Sequence, residues 1–489
     1  MTNKIAEFFQ LEANHTNLST EIMAGISTFF AMSYIIFVNP AILSQTGMPY
    51  QGVFLATLFA SGIATLFIGL YANVPYALAP GMGLNAFFTF TVVMGLGFTW
   101  QEALAMVFIC GLVNIAITVT NIRRVIISAI PESIQHAISG GIGVFIAYIG
   151  VKSANLIHFQ ADAAAITQIN GAPYDAGQQV YEAGVQAVSS NGSTLPQIAT
   201  FTEPSTLLAL FGLVLTVILM AKNIQGAILI GIVATTALQL IIDPSLLQQV
   251  DFAQAGLANS FKELGITFGA AFGSEGLLSL FSDPSRLPLV LVTIFAFSLS
   301  DIFDTIGTFI GTGRATGIFS KEDIDNLDTR SNTKLDKALF GDVVGTSMGA
   351  IFGTSNTTVF AESSVGIAAG GRTGLTSLAT GICFFLCIFI APFIGLVPAS
   401  ATAPALILVG VLMMSSFREV EWGDFSIAVP AFFASIFMGY SYSISNGIAA
   451  GFIFYCLTMT VTKRAKEVHP VIWGASLLFI LNYIIMAYL

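Results

Sequence analysis

The sequence predicts an all-α polytopic membrane protein of fourteen transmembrane segments, built as two inverted halves of seven. Three observations predict it. Of 489 residues, 55% are hydrophobic and only 9% charged, with a mean hydropathy of +0.83, whereas about 25% of a soluble domain is charged. A span needs about 20 apolar residues to cross about 30 Å of hydrocarbon, and such runs fill most of the chain. Finally, the third run of each half is interrupted by small and polar residues, beginning at Tyr76 and at Thr358. Paired broken segments at matching positions are the mark of a transporter built from inverted repeats.

In chain order, the first half places spans at 22–38, 52–71, 76–94, 101–120, 134–151, 205–221 and 225–242. The second half places them at 287–312, 337–352, 354–371, 374–395, 402–416, 424–441 and 446–462. A further apolar run, Val471 to Leu489, is long enough for another span or for a helix at the membrane edge. The N-terminal stretch lacks the basic-then-apolar pattern and small-residue cleavage site of a signal peptide, so insertion is expected to start at the first span.

With the N-terminus in the cytoplasm, Arg123, Arg124, Lys222, the stretch from Arg314 to Lys337, Arg372, Arg418 and the stretch from Lys463 to Lys466 all fall inside. That is the distribution expected of cytoplasmic loops. The long connections 152–204 and 243–286 then lie outside. Cys110, Cys383, Cys387 and Cys456 sit within apolar runs and read as small core side chains, not as disulfides or metal ligands. A net charge of -10 argues against a nucleic-acid partner.

Pro80, Gly81 and Gly83 interrupt helical structure in the third span, so extended backbone leading into a half-helix at Asn85 is expected. In the second half the strand-forming and capping residues after Gly353 precede Glu362 and Ser363, which open a small-residue helix. In the apolar stretch Leu287 to Gly313, which holds the eighth span, the residues Ser298, Asp301, Asp304, Thr305, Thr308 and Thr312 fall along one helical face. An aspartate at mid-bilayer costs about 2.5–3.5 kcal/mol on insertion scales, so that face should line a cavity.

Asp301, Asp304 and Glu362 therefore present three carboxyl groups without an intramembrane Lys or Arg to neutralise them. The available solutions are protonation, a bound cation or a ligand that offers N–H donors. A purine base fits the last: Asn85 can serve its donor and acceptor edge, and Phe87, Phe88, Phe303 or Phe360 can stack on it.

The runs APGMGLNAFF (79–88), SDIFDTIGT (300–308) and AESSVGIAAGGRTG (361–374) resemble the adenine-guanine-hypoxanthine (AzgA-like) permeases, a branch of the nucleobase and ascorbate transporter family. The resemblance extends from about residue 7 onward. It implies a uracil-permease-type fold, with a core domain at 22–120 and 287–395, a gate domain at 134–242 and 402–462, and 471–489 in excess. It also implies a purine nucleobase and proton symporter of the cell membrane. Asp301 and Glu362 would hydrogen-bond the base, with Asn85 supporting the third-span side. Asp304 would hold the site or join Glu362 and Asp301 in proton coupling, with Pro80, Gly81, Gly83 and Ser363 shaping it. No cofactor beyond the proton, and no metal, is expected; a homodimer is compatible with the sequence.

Competing classes fit less well. An intramembrane aspartyl protease needs aspartates from two spans, whereas Asp301 and Asp304 share one; no enzyme is expected. An anion channel or exchanger on a related fold would favour a positive site, and this one is acidic. Gly307 and Gly311 form a GxxxG that reads as helix packing. His136 reads as an interfacial side chain, and Asp342 as a residue near a cytoplasmic span end that caps a helix or pairs with Lys337.

Overall fold

The computed structural model describes residues 2–120, 129–160, 166–169, 172–173, 188–190, 195–244, 256–316, 318–319 and 333–488. It is a helical polytopic fold. Among the described residues, nine helices are long and apolar enough to cross a membrane, and four shorter apolar helices accompany them.

In the first half, α1 (Leu18–Met32) and α2 (Ile35–Leu43) meet at Ser33 and Tyr34, and α3 (Tyr50–Ala72) returns. A three-residue strand β1 (Leu78–Pro80) precedes α4 (Met82–Ala86), which continues as a π-helical stretch Phe87–Gly95. Then follow α5 (Trp100–Val119), α6 (Glu132–Ser153), α7 (Pro204–Ala221) and α8 (Ala227–Ile242). Thr99 and Glu102 start α5 with a reciprocal capping box, which satisfies two donors at the helix end.

Helix α9 (Leu257–Thr267) belongs to the second long connection, and its Glu263 accepts the Gln51 and Gly52 N–H groups at the start of α3. The second half contains α10 (Leu287–Thr316), α11 (Lys334–Phe352), β2 (Thr357–Val359), the short α12 (Ser363–Ala368) and α13 (Gly374–Leu386). It closes with α14 (Ala399–Met413), α15 (Phe425–Phe433), α16 (Ile436–Ser441), α17 (Ile444–Val461) and α18 (Pro470–Tyr488).

Helix α3 packs on α11 and α13, α5 on α11, and α1 on α13. A second set joins α6 to α14, α7 to α8 and α14, and α15 to α17. Small residues let backbones approach at a key crossing of each set. A Cβ at Gly69 would stand 2.7 Å from the Gly374 carbonyl oxygen, and one at Gly143 2.6 Å from that of Gly410. The apolar run at Val471 is resolved as α18, which packs on α17 and α10, with Phe479 against Phe295 and Phe452.

Candidate functional site

The site grows from the two strands. Pro80 has no N–H to donate, and Thr357, Thr358 and Val359 are β-branched, so both segments favour extended backbone. They pair antiparallel, with Leu78 opposite Val359, Ala79 opposite Thr358 and Pro80 opposite Thr357. The Gly81 N–H to the Asn356 carbonyl (2.9 Å) and the Phe360 N–H to the Ala77 carbonyl (3.0 Å) extend the pairing at both ends. Ser363 accepts the Ala77 N–H at 3.0 Å, and Thr65 both accepts from and donates to the Leu78 backbone. Buried backbone groups that no helix satisfies thus find partners.

Each acid has its own environment. Asp342 is fully buried and accepts from Thr305 Oγ1 (2.5 Å), the Val359 N–H (2.8 Å) and Thr358 Oγ1 (3.3 Å). It therefore ties α11 to α10 and β2. The expected cap or Lys337 partner at a span end is corrected, because the residue lies one turn further inside α11 and faces the strand. Asp301 is 1% exposed and accepts from Asn114 Nδ2 (2.8 Å) and Thr346 Oγ1 (3.1 Å). Asn114 in turn accepts from Ser298.

Asp304 is placed differently. A Cβ at Gly81 would lie 3.7 Å from Asp304 Oδ2 and 2.8 Å from Thr358 Cγ2, so this carboxylate faces the end of β1, and it interacts electrostatically with Glu362. Glu362 follows β2 and accepts the Tyr34 hydroxyl at 2.6 Å. The Phe360 ring lies 6.5 Å from that of Tyr34. The structure therefore brings Asp304, Glu362, Phe360 and Gly81 to one junction. Asp301, expected as a ligand contact, is held by Asn114 of α5 and Thr346 of α11.

Asn85 is inside α4 and accepts from Ser355 of the opposite segment. Phe87 is fully buried edge-on against Phe297, with ring centroids 4.6 Å apart, within the hydrophobic core. A side chain at Gly83 would run into Ile142 of α6, so that glycine permits close packing. The side chains of Phe303, Arg123, Arg124 and Arg314 lie outside the described residues, as does the packing at Gly307 and Gly311.

Tyr34, Asn114 and Ser355 escaped the sequence reading. Each is a polar residue in an apolar run, which was the available signal. Only the fold reveals that Tyr34, 328 positions from Glu362 in the chain, is its partner.

A helical bundle with two short strands meeting at buried carboxylates defines a multi-pass membrane transport protein. The chain belongs to the permease family described by the Xan_ur_permease model, which it matches over residues 19–175 and 176–450. It is 39% identical to a putative permease of Methanocaldococcus jannaschii, with 99% of each chain covered. It is 36% identical to the guanine/hypoxanthine permease PbuO of Bacillus subtilis (98% of this chain, 100% of that one) and 34% identical to the adenine permease AdeP of Escherichia coli (97% and 95%). These relatives are permeases, not enzymes. Its fold is like that of the transmembrane domain of the cyanobacterial bicarbonate transporter BicA, with a TM-score of 0.54 at 18% identity over 89% of this chain and 96% of that one. Murine Slc26a9 in the inward-facing state gives a TM-score of 0.56 at 12% identity, over 91% and 68%.

Proposed function

We propose that the protein imports purine nucleobases (adenine, guanine or hypoxanthine) together with protons across the plasma membrane, its N-terminus in the cytoplasm. The observation that carries this reading is the convergence of Asp304, Glu362 and Tyr34 where β1 meets β2. A carboxylate is an acceptor, and two of them in a low-dielectric site call for a ligand rich in N–H donors. A flat, neutral purine supplies those donors, and Phe360 offers a ring beside them. The names of the relatives point to the same substrates, and an acidic site disfavours an anion.

In this reading the chain forms fourteen spans in a seven-plus-seven inverted repeat. The third and tenth spans are each broken into a strand and a short helix, and antiparallel pairing of β1 with β2 supports that relation. The two packing sets correspond to a core (α1–α5 and α10–α13) and a gate (α6–α8 and α14–α17). Proton and base would bind the same carboxylates on the core, which then moves against the gate; the proton is the only co-substrate. Loading of one favours loading of the other through reciprocal coupling.

Uptake of radiolabelled adenine and hypoxanthine, in cells stripped of their own purine uptake, tests this. Asp304→Asn and Glu362→Gln are each expected to abolish uptake while the protein still reaches the membrane, and an uncoupler should abolish it in the wild type. Uptake that survives both substitutions refutes the site; uptake indifferent to the uncoupler refutes proton coupling.

A further inference from the structure

We propose that Tyr34 determines specificity, presenting its hydroxyl oxygen as an acceptor to the exocyclic amino group of an amino-purine. The inference rests on Asp304 and Glu362 being the base-binding carboxylates and names a third contact beside them.

Tyr34 stands between α1 and α2, where Ser33 ends one helix and Tyr34 precedes the other. That break sends its side chain toward the β1–β2 junction. The ring is 1% exposed and flanked by Phe360 at 6.5 Å. Its hydroxyl lies 2.6 Å from Glu362 Oε1 and also interacts electrostatically with Asp304. Tyr34 and Glu362 thus meet directly, with Asp304 of a third segment within electrostatic reach.

A phenol has one proton to donate and lone pairs to accept with. A carboxylate can only accept, so the single Tyr34 proton is committed to Glu362. What Tyr34 has left for a ligand is acceptor capacity. Tyr34 and an ionised Glu362 together make an acceptor face, which complements N–H and repels a carbonyl oxygen, and leave Asp304 to carry the coupling proton. Hypoxanthine carries only ring N–H groups. Adenine carries an exocyclic NH₂ on C6 and guanine one on C2, and either group, with its base oriented to bring it there, can donate its second hydrogen to the Tyr34 oxygen. A buried acceptor of this kind separates ligands by whether they carry the matching donor.

The test uses the full-length protein in proteoliposomes, with labelled hypoxanthine competed by unlabelled adenine, guanine and hypoxanthine. In Tyr34→Phe the apparent affinity for adenine and guanine should fall about five- to tenfold relative to hypoxanthine, the equivalent of one lost hydrogen bond. An equal fall for all three bases, or no fall, overturns the proposal. The wild-type protein gives a second test that does not depend on a variant folding: adenine should compete about five- to tenfold better than unsubstituted purine, and equal competition overturns the proposal. Glu362→Gln separates the two levels of inference. If that variant transports all the bases, the carboxylate site itself is wrong; if it is inactive while Tyr34→Phe lowers all affinities alike, only the role of Tyr34 fails.

Discussion

Asp342 offers a prediction whose size can be worked out from its bonds. The carboxylate accepts the Val359 N–H through Oδ1 and the Thr305 hydroxyl through Oδ2. Replacing it by alanine leaves the Val359 N–H without that acceptor inside the protein, a loss of about 1–3 kcal/mol. The hydroxyls of Thr305 and Thr358 are 3.0 Å apart and can pair with each other, so they add little. The cavity left by the side chain brings the total to about 2–4 kcal/mol. Asparagine is a different perturbation: its oxygen still accepts from Val359, and its NH₂ can donate to the Thr305 hydroxyl, so the cost is about 1 kcal/mol or less. Thermal unfolding in detergent should therefore rank wild type close to Asp342→Asn and well above Asp342→Ala. Uptake should fall in the alanine variant even below its melting temperature, because β2 leads directly into Glu362. Equal melting of Asp342→Ala and wild type, or of the two variants, would refute the view that hydrogen bonding to β2 is what this acid contributes.

Three further predictions follow from the packing and the charges. Asp301→Asn, unlike Asp304→Asn, should lower the melting temperature while leaving measurable uptake, since Asp301 serves Asn114 and Thr346; full activity loss at unchanged stability would contradict this. Gly69→Ala should destabilise by about 1–3 kcal/mol through overpacking, its Cβ meeting the Gly374 carbonyl at 2.7 Å and Ser377 Cβ at 2.8 Å; unchanged unfolding would show that α3 and α13 can part at no cost. Beyond the spans, the Ser426 hydroxyl and N–H, with Arg464, hold Asp424 below the usual carboxylate range, and Arg464 does the same for Glu467. Groups with lowered folded values stabilise above their ordinary range near pH 4 and lose that contribution as pH falls through the lowered values. Arg464→Gln should therefore melt below wild type at pH 7, with the gap closing in acid; a gap that persists would refute the ion-pair account.

Hydropathy alone was enough to read the membrane class, because insertion selects long apolar runs whatever their neighbours. Glycine and proline at 80–83 marked extended backbone, since they disfavour helix by themselves. Asp301 and Asp304 were harder. Three residues apart on α10, they share a helical face by periodicity, yet that face is wide enough to touch two environments. Asp301 turns toward Asn114 on α5 and Thr346 on α11, while Asp304 turns toward β1. Nothing local to SDIFDT separates them; the separation is set by which helices pack on either flank. Tyr34 was hidden for a similar reason, as an aromatic residue in an apolar span usually packs among its neighbours. Asp342 was misplaced because span boundaries read from hydropathy slip by a turn, enough to exchange a helix end for the centre of a scaffold.

Helix α10 thus carries consecutive polar positions with opposite duties, and the division explains how an acid can stay available to a ligand within a membrane. Ser298, Asp301 and Thr305 are bound to α5, α11 and β2 through Asn114, Thr346 and Thr358. Those bonds fix the rotation of the helix about its axis, because each partner comes from a different neighbour. With rotation fixed, Asp304 has one direction to face, and that is the end of β1. A buried polar group is costly unless satisfied, so a carboxylate held open is tolerated only where the surrounding groups are otherwise paired. The Asn, Ser and Thr side chains that satisfy Asp301 and Asp342 meet that condition, and among the described residues no lysine or arginine pairs with Asp304 or Glu362. A fixed cation there would neutralise Asp304 and Glu362 permanently and remove the reason for a donor-rich ligand, or a proton, to bind.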